Sequence, residues 1–317
     1  MRTLRVIHST TPLEPLRAAF GGRLQENVLM ANYTTAHVGG PVDAAIIAQS
    51  AAELENAVQS LWSMGTPFFL LGSGSNVLVS DAGIRGVVVI NRAHTVKIDT
   101  HGAALTSPTV WAESGANLSG ISRQLALRGL SGLEWAANIP GSVGGAVYGN
   151  AGAYEKDVKA CLVLAEILHR TEGRQNWTGA RLEFDYRSSI LKRDPGQAVV
   201  LAARFALTTS TKDEVQARMD SYNAQRRRSQ PPGASLGSMF KNPTGDYAGR
   251  LIEAAGLKGT RIGGAQISKV HANFFVNDQQ ARAKDILGLI QLAQRTVHDK
   301  FGVELQLEVE LLGDWNG

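Results

Sequence analysis

At 317 residues the chain suits two or three domains, each able to bury a core of its own. Its make-up, 44% hydrophobic and 19% charged with 34 glycines, is that of a soluble globular protein with glycine above the usual share of about 7%, so many positions call for positive φ or close ligand approach. A net charge of only +4, with no basic run beyond Gln225-Arg226-Arg227-Arg228, argues against a nucleic-acid surface. The lone cysteine, Cys161, excludes an intrachain disulfide and a cysteine-built metal site, and fits a cytoplasmic protein.

Residues 1–25 read as an extension, partly helical around Leu13–Phe20; Arg2 and Arg5 stand there without the continuous apolar core of a signal peptide. No apolar stretch approaches the roughly 20 residues of a membrane-spanning helix. From Asp43 a βαβ unit follows. Ala44–Ala48 is a short strand, and Ser50 with Glu53 makes a capping box. Leu54, Ala57, Val58, Leu61 and Trp62 repeat at helical spacing up to a stop at Gly65. Phe68–Leu71, Gly86–Ile90, Thr95–Ile98, Leu162–Leu168 and Val199–Ala206 read as strands. A helix starts after Asn117 and stops at Gly129, burying Leu118, Ile121 and Leu125. Thr211 and Glu214 open another helix, which runs into Arg226–Arg228 and is stopped by Pro231-Pro232. Helices over Tyr247–Ala255 and Gln279–Phe301 follow, and Val303–Leu312 reads as a strand returning to an earlier sheet.

Two glycine-rich segments stand out. Gly72-Ser73-Gly74-Ser75-Asn76 follows a strand, but Val77 occupies the third glycine position of the dinucleotide fingerprint, and Val77–Val79 looks like a strand rather than the helix that fingerprint needs. A nest of backbone N–H groups with small hydroxyls can cradle a pyrophosphate without a helix. In Ile139–Tyr154, five glycines between 141 and 152 are too many for an ordinary strand or helix; the segment suits either a wrap around a bulky cofactor or two structural turns.

Three further segments offer chemistry. Arg187, in Phe184–Ser189, is a cation able to clamp a carboxylate and stabilise developing negative charge, although alone it reads equally as a surface arginine. Ser238, in Gly237-Ser238-Met239-Phe240-Lys241-Asn242-Pro243, is a hydroxyl at a bend, able to donate a proton if positioned and assisted by a cation. It lacks the G-x-S-x-G elbow of a hydrolase nucleophile. Glu308 alternates with Leu305, Leu307 and Val309, sharing the other strand face with Gln306 and Glu310; that face can equally be solvated.

In this order the segments resemble the UDP-N-acetylenolpyruvoylglucosamine reductase (UDP-N-acetylmuramate dehydrogenase) family. The resemblance rests on Tyr33-Thr34-Thr35 with Val38-Gly39-Gly40-Pro41, the Gly-Ser-Gly-Ser-Asn loop, Ile139–Gly145, Tyr186-Arg187-Ser188, Gly237–Pro243, Gly249–Phe274 and Glu308-Val309, and it runs from about Asn27 to Gly313. It implies an α+β protein with a vanillyl-alcohol-oxidase-type (PCMH-like) FAD-binding fold of two subdomains plus an α+β substrate domain. The implied division is 1–90, with 302–317 returning to it, then 91–209 and 210–301. Arg187, Ser238 and Glu308 are the implied catalytic residues. FAD is implied at Tyr33, Thr35, Gly39, Gly72, Ser73, Gly74, Ser75, Asn76, Asn138, Ile139, Pro140, Gly141, Ser142, Gly144 and Gly145, bound non-covalently because these motifs hold no histidine or cysteine. Substrate contacts are implied at Tyr186, Arg226, Arg227, Lys241 and Asn242, while His271 reads as a core histidine before a substrate contact.

NADPH is the implied reductant and UDP-N-acetylenolpyruvoylglucosamine the implied substrate of a cytoplasmic monomer without metal, nucleic-acid or membrane partners. Glu155-Lys156 follow Tyr154 where the family often has glycine, and no inserted tyrosine loop is seen, which fits the branch lacking it. A flavin oxidase of the same fold and a non-catalytic sugar-nucleotide-binding protein are the alternatives.

Overall fold

The computed structural model describes residues 4–5, 12–100 and 107–315; Arg2, most of the N-terminal extension ahead of Pro12 and the last two residues lie outside them. The chain forms two compact units, one built from 1–45, 74–88 and 227–317, the other from 46–73 and 89–226.

The second unit is organised by an antiparallel five-stranded sheet. Its order is Gly173–Trp177, Leu162–His169, Ala198–Ala206, Thr109–Glu113, Val96–Asp99. Alternate residues of these strands (Val110 and Ala112, Ala165 and Ile167, Ala203 and Phe205) join helices Leu118–Ala126 and Val143–Gly149 in one core around Trp135. Burying a side chain of this size contributes about 1.5–3 kcal/mol, so Trp135 and Phe205 are its anchors. Helix Ala51–Ser63 is fixed at its start: Ser50 accepts from the Glu53 amide, and the buried Glu113 carboxylate accepts from the Ala51 amide at 2.8 Å and from Thr95 N–H at 2.8 Å. An acid at a helix start satisfies an orphan amide and complements the dipole. Burial alone would raise the Glu113 pKa; the amides of Ala51 and Thr95 outweigh it and hold the carboxyl below its ordinary range.

The first unit holds a parallel sheet, Leu4–Arg5, Glu310–Leu312, Val77–Val79. It also holds an antiparallel one in the order Ala234–Ser238, Phe274–Asn277, Ala265–Ile267, Arg261–Ile262. Helix Ala283–Phe301 buries Ile286, Leu289, Ile290, Ala293 and Val297, the i, i+3, i+4, i+7, i+11 stripe of an amphipathic helix. Asp81 accepts from the Ala283 and Lys284 amides at its start, at 2.9 and 3.0 Å.

The structure departs from the sequence expectations in four places. The segment 143–149, read as too glycine-rich for a helix, is helical: Ser142 caps it and Asn150 ends it in the left-handed conformation. Of its glycines, Gly144 serves packing, since a Cβ there would lie 2.9 Å from that of Ser114. In the tail only Glu310–Leu312 is a strand. The residues before it bond to the irregular stretch after Ser238 instead, through a lone Phe240–Leu307 bridge. The last long helix begins at Ala283 rather than Gln279 because Gln280 has φ +55 and the Asp285 carboxylate accepts from the Arg282 amide at 2.9 Å. Glu53 reaches back to the amide of Gln49, not of Ser50.

Candidate active site

In the first unit, the hydroxyl and the carboxylate singled out by the sequence lie on segments bonded to each other. Ser238 ends its strand opposite Phe274, after a register irregularity at Gly237, which has φ +75. From there the chain is held on both sides. The Glu308 amide donates to the Met239 carbonyl at 2.9 Å, and the Lys241 amide to the Gln306 carbonyl at 2.9 Å. Opposite, the buried Asn273 brackets Phe240: its Nδ2 donates to the Phe240 carbonyl at 2.8 Å and its Oδ1 accepts the Phe240 amide at 2.9 Å, while the Met239 amide donates to the Asn273 carbonyl at 2.8 Å. The result is a rigid bend presenting half-buried Ser238 and Glu308. Asn242 spends its Oδ1 as an acceptor for the Ala248 amide, at the start of helix Ala248–Ala254.

The first glycine loop joins the same frame. Asn76 Nδ2 donates to the Glu308 carbonyl at 3.1 Å, and the Glu310 amide to the Asn76 carbonyl at 3.0 Å. The Thr35 amide donates to the Gly74 carbonyl at 3.1 Å, and the Thr35 hydroxyl to the carbonyl of Ser235, on the strand that carries Ser238, at 2.7 Å. Gly74 has φ +63, and a Cβ there would overlap the Tyr33 carbonyl; only glycine fits. Gly39 packs against Val79, and His37, between the two parts of the first motif, is exposed.

The second unit carries Arg187 and the rest of the loops. Arg187 is half-buried with φ +54, a conformation that costs an arginine of order 1–2 kcal/mol. The turn is fixed by reciprocal Asp185–Ser188 backbone bonds, and Arg187 Nη2 donates to the Gly152 carbonyl at 2.8 Å. The guanidinium also sits over the ring of Tyr186, 5.3 Å from its centre, and Tyr186 is exposed. Gly72 is held by Arg92, whose Nη1 donates to its carbonyl at 2.8 Å. The segment 141–144 is laced to 114–118: Leu118 N–H donates to Gly141 C=O at 3.2 Å, Gly144 N–H to Ser114 C=O at 2.7 Å and Val143 N–H to Ala116 C=O at 2.9 Å. Asn138 donates to Asn223 of helix Lys212–Ser229. Of the three arginines ending that helix, Arg226 is half-buried and Arg227 and Arg228 are exposed.

His271, read from the sequence as a core histidine before a substrate contact, is half-buried. Its Nδ1 accepts the Asn273 amide at 3.2 Å, its ring meets Phe274 edge-on, and burial lowers its pKa. Sequence reasoning missed the roles of Asn273, Arg92, Gly152 and the partners of helix Lys212–Ser229. Asn273 had a signal as part of His271-Ala272-Asn273-Phe274, and Gly152 as the last glycine of the second glycine-rich segment. Among the described residues no cluster of histidine, cysteine or acids could hold a metal ion, and no helix is long and apolar enough to cross a membrane.

Neither segment, 72–76 nor 139–145, contains an acid; each offers backbone polar groups and small hydroxyls, with one amide side chain in the first. That chemistry suits a pyrophosphate-bearing cofactor. The model of an FAD binding domain matches residues 42–178, and that of the UDP-N-acetylenolpyruvoylglucosamine reductase C-terminal domain matches residues 229–312. Fold and site thus define an FAD-dependent oxidoreductase built on an FAD-binding domain. Among similar chains, the UDP-N-acetylenolpyruvoylglucosamine reductase of Chloroflexus aggregans is 45% identical over 294 residues, covering 91% of this chain and 97% of its own. Reductase 1 of Bacillus cereus is 43% identical over 297 residues, 92% of this chain and 95% of its own. The crystal structure of the Thermus caldophilus reductase superposes with a TM-score of 0.77 at 37% identity, covering 92% of this chain and 99% of that one. The chain belongs to the UDP-N-acetylenolpyruvoylglucosamine reductase family.

Proposed function

We propose that the protein reduces the enolpyruvyl group of UDP-N-acetylenolpyruvoylglucosamine to give UDP-N-acetylmuramate, in the synthesis of peptidoglycan precursors, with NADPH as the reductant and FAD held non-covalently. The observation that carries this reading is the pairing of Ser238 and Glu308 on cross-bonded segments, through Glu308 N–H to Met239 C=O. An oxidase of the same fold has no need for a proton donor set beside a carboxylate.

When bound and reduced, FAD supplies the hydride that adds to the terminal carbon of the enolpyruvyl double bond. The electron pair of that bond moves onto the adjacent carbon and the substrate carboxylate as an enolate. Arg187 stabilises this charge, its guanidinium held by Gly152, and Glu308, protonated, donates to it. Ser238 gives its hydroxyl proton to the adjacent carbon, completing the reduction with one hydride and one proton. Preorganised donors of this kind are often the largest catalytic term. Gly72–Asn76 and Asn138–Gly145 with Tyr33, Thr35 and Gly39 hold FAD. Tyr186, Arg226, Arg227, Lys241 and Asn242 receive the sugar nucleotide, Asn242 through its NH₂ because its carbonyl oxygen caps a helix. The functional division is 1–90 with 302–317, 91–209 and 210–301, in a cytoplasmic monomer.

The test is an anaerobic cycle followed by flavin absorbance. NADPH is expected to bleach the flavin and UDP-N-acetylenolpyruvoylglucosamine to restore it. Colour that returns only with oxygen would make the protein an oxidase, and a colourless protein that takes up no added FAD would overturn the reading.

A further inference from the structure

Helix Lys212–Ser229 packs along one stripe of side chains, Val215, Arg218, Met219, Tyr222, Asn223 and Arg226, at the i, i+3, i+4 spacing of a helix face. Val215 and Met219 are buried against Ala126 and Ala137. Arg218 Nε donates to the buried Glu134 at 2.9 Å. Next along the stripe, Tyr222 stacks on Tyr154, ring centres 4.3 Å apart and planes within 17°. Arg226 ends the stripe half-buried, and among the described residues no carboxylate pairs with it. A partly desolvated guanidinium without an acid is a receptor waiting for an anion. Burial lowers its pKa and the Tyr154 phenol opposes that shift.

Tyr154 belongs to a hairpin in which Gly152 pairs with Asp157 and Ala153 with Lys156. Its two turn residues, Tyr154 and Glu155, have φ +55 and +61, a conformation that such turns normally give to Asn-Gly or Asp-Gly. Strain of this kind persists where surrounding contacts demand it, and here they do. The Tyr154 hydroxyl donates to the Tyr222 carbonyl at 3.0 Å, the carbonyl to which the helix pattern also directs the Arg226 amide. The base of the same hairpin holds the Arg187 turn. Gly152 C=O accepts from Arg187 Nη2, and Asn150 Nδ2 joins Asp157 at 3.0 Å to the Asp185 carbonyl at 3.1 Å.

We propose that Tyr154 is a positioning residue: docked on Tyr222 from a strained turn, it fixes the helical turn bearing Arg226 in the same frame as Arg187, so that one hairpin sets both cations for a ligand carrying a diphosphate and a carboxylate. This rests on the proposed placing of Arg226 among the residues that receive the sugar nucleotide, and takes Arg226, the half-buried one of the three arginines, as the cation for its diphosphate. Tyr154→Phe removes the hydrogen bond and keeps the stack; Tyr154→Leu removes both. Glu155→Gly relaxes the turn without touching either.

The experiment measures, in NADPH-reduced holoenzyme, the concentration of UDP-N-acetylenolpyruvoylglucosamine that half-saturates flavin reoxidation. Tyr154→Phe is expected to raise it about three- to tenfold and Tyr154→Leu further, with the loss in half-saturation rather than in limiting rate, while Glu155→Gly leaves it unmoved. With Arg226→Met already in place, adding Tyr154→Phe is expected to change it less than about twofold, because coupled residues are not additive. A full additional effect in the Arg226→Met background, or none in the parent, would overturn the positioning role while leaving Arg226 assigned. An Arg226→Met variant with unchanged half-saturation would instead remove the assignment beneath it, and the proposal with it.

Discussion

Replacing Asn273 by alanine tests how the bend at Ser238 is held. The side chain is 3% exposed and makes two hydrogen bonds to one residue, donating to the Phe240 carbonyl at 2.8 Å and accepting its amide at 2.9 Å. Phe240 is itself 1% exposed, so both backbone groups would be left without partners in an apolar surround. Each such loss costs about 1–3 kcal/mol; with partial relaxation the pair should cost about 2–4 kcal/mol. At about 2–4 °C per kcal/mol for a domain of this size, thermal unfolding of the first unit should fall by roughly 5–15 °C. The same loosening moves Ser238, and misplacement by an ångström can cost about 10²-fold in rate. In rapid-mixing measurements, flavin reduction by NADPH should keep its parent rate while reoxidation by the sugar nucleotide slows about 10- to 100-fold. Asn273→Ala with parent stability and parent reoxidation would refute the claim that this side chain sets the bend.

Gly74→Ala should purify largely without flavin, because a Cβ would overlap the Tyr33 carbonyl and φ +63 adds about 1–2 kcal/mol of strain; the ratio of flavin to protein absorbance reads this directly. Glu113 has a lowered pKa in the folded state, so its stabilising contribution is present above its unfolded value of about 4.3 and is lost as pH falls through the folded one. Glu113→Gln should therefore lower stability at pH 7 by about 1–3 kcal/mol and flatten the fall between about pH 5 and pH 3, in urea melts across that range. Burial pushes the Cys161 thiol up to about 12; it should resist a thiol reagent at pH 8 in the folded protein and react at once in denaturant.

Much of the fold is legible locally. Ser50, Asn117 and Thr211 each accept from the amide three residues on, at the helix starts where their spacing placed them. The alternating strands around Leu162–His169 and Ala198–Ala206 lie where their pattern put them. What was not legible depends on partners far along the chain. Ser142 caps a glycine-rich helix whose close approach to Ser114 no local pattern encodes. The tail before Glu310 alternates as a strand should, yet its Glu308 amide and Gln306 carbonyl pair with the irregular bend at 239–241. Tyr154-Glu155 carries no turn signal, because its left-handed conformation is supported by Tyr222, 68 residues away. At the site, the residues proposed to meet ligand were nominated from motifs, but those that hold them (Asn273, Gly152, Arg92) are identified only by hydrogen bonds.

The central claim, that Ser238 supplies the proton completing the reduction, is tested most directly by Ser238→Ala in the two separated half-reactions. Bleaching of the flavin by NADPH should match the parent, and its return on adding UDP-N-acetylenolpyruvoylglucosamine should slow by about 10²–10⁴-fold, the usual worth of a positioned proton donor. Equal slowing of both half-reactions, or undiminished reoxidation, would contradict the account.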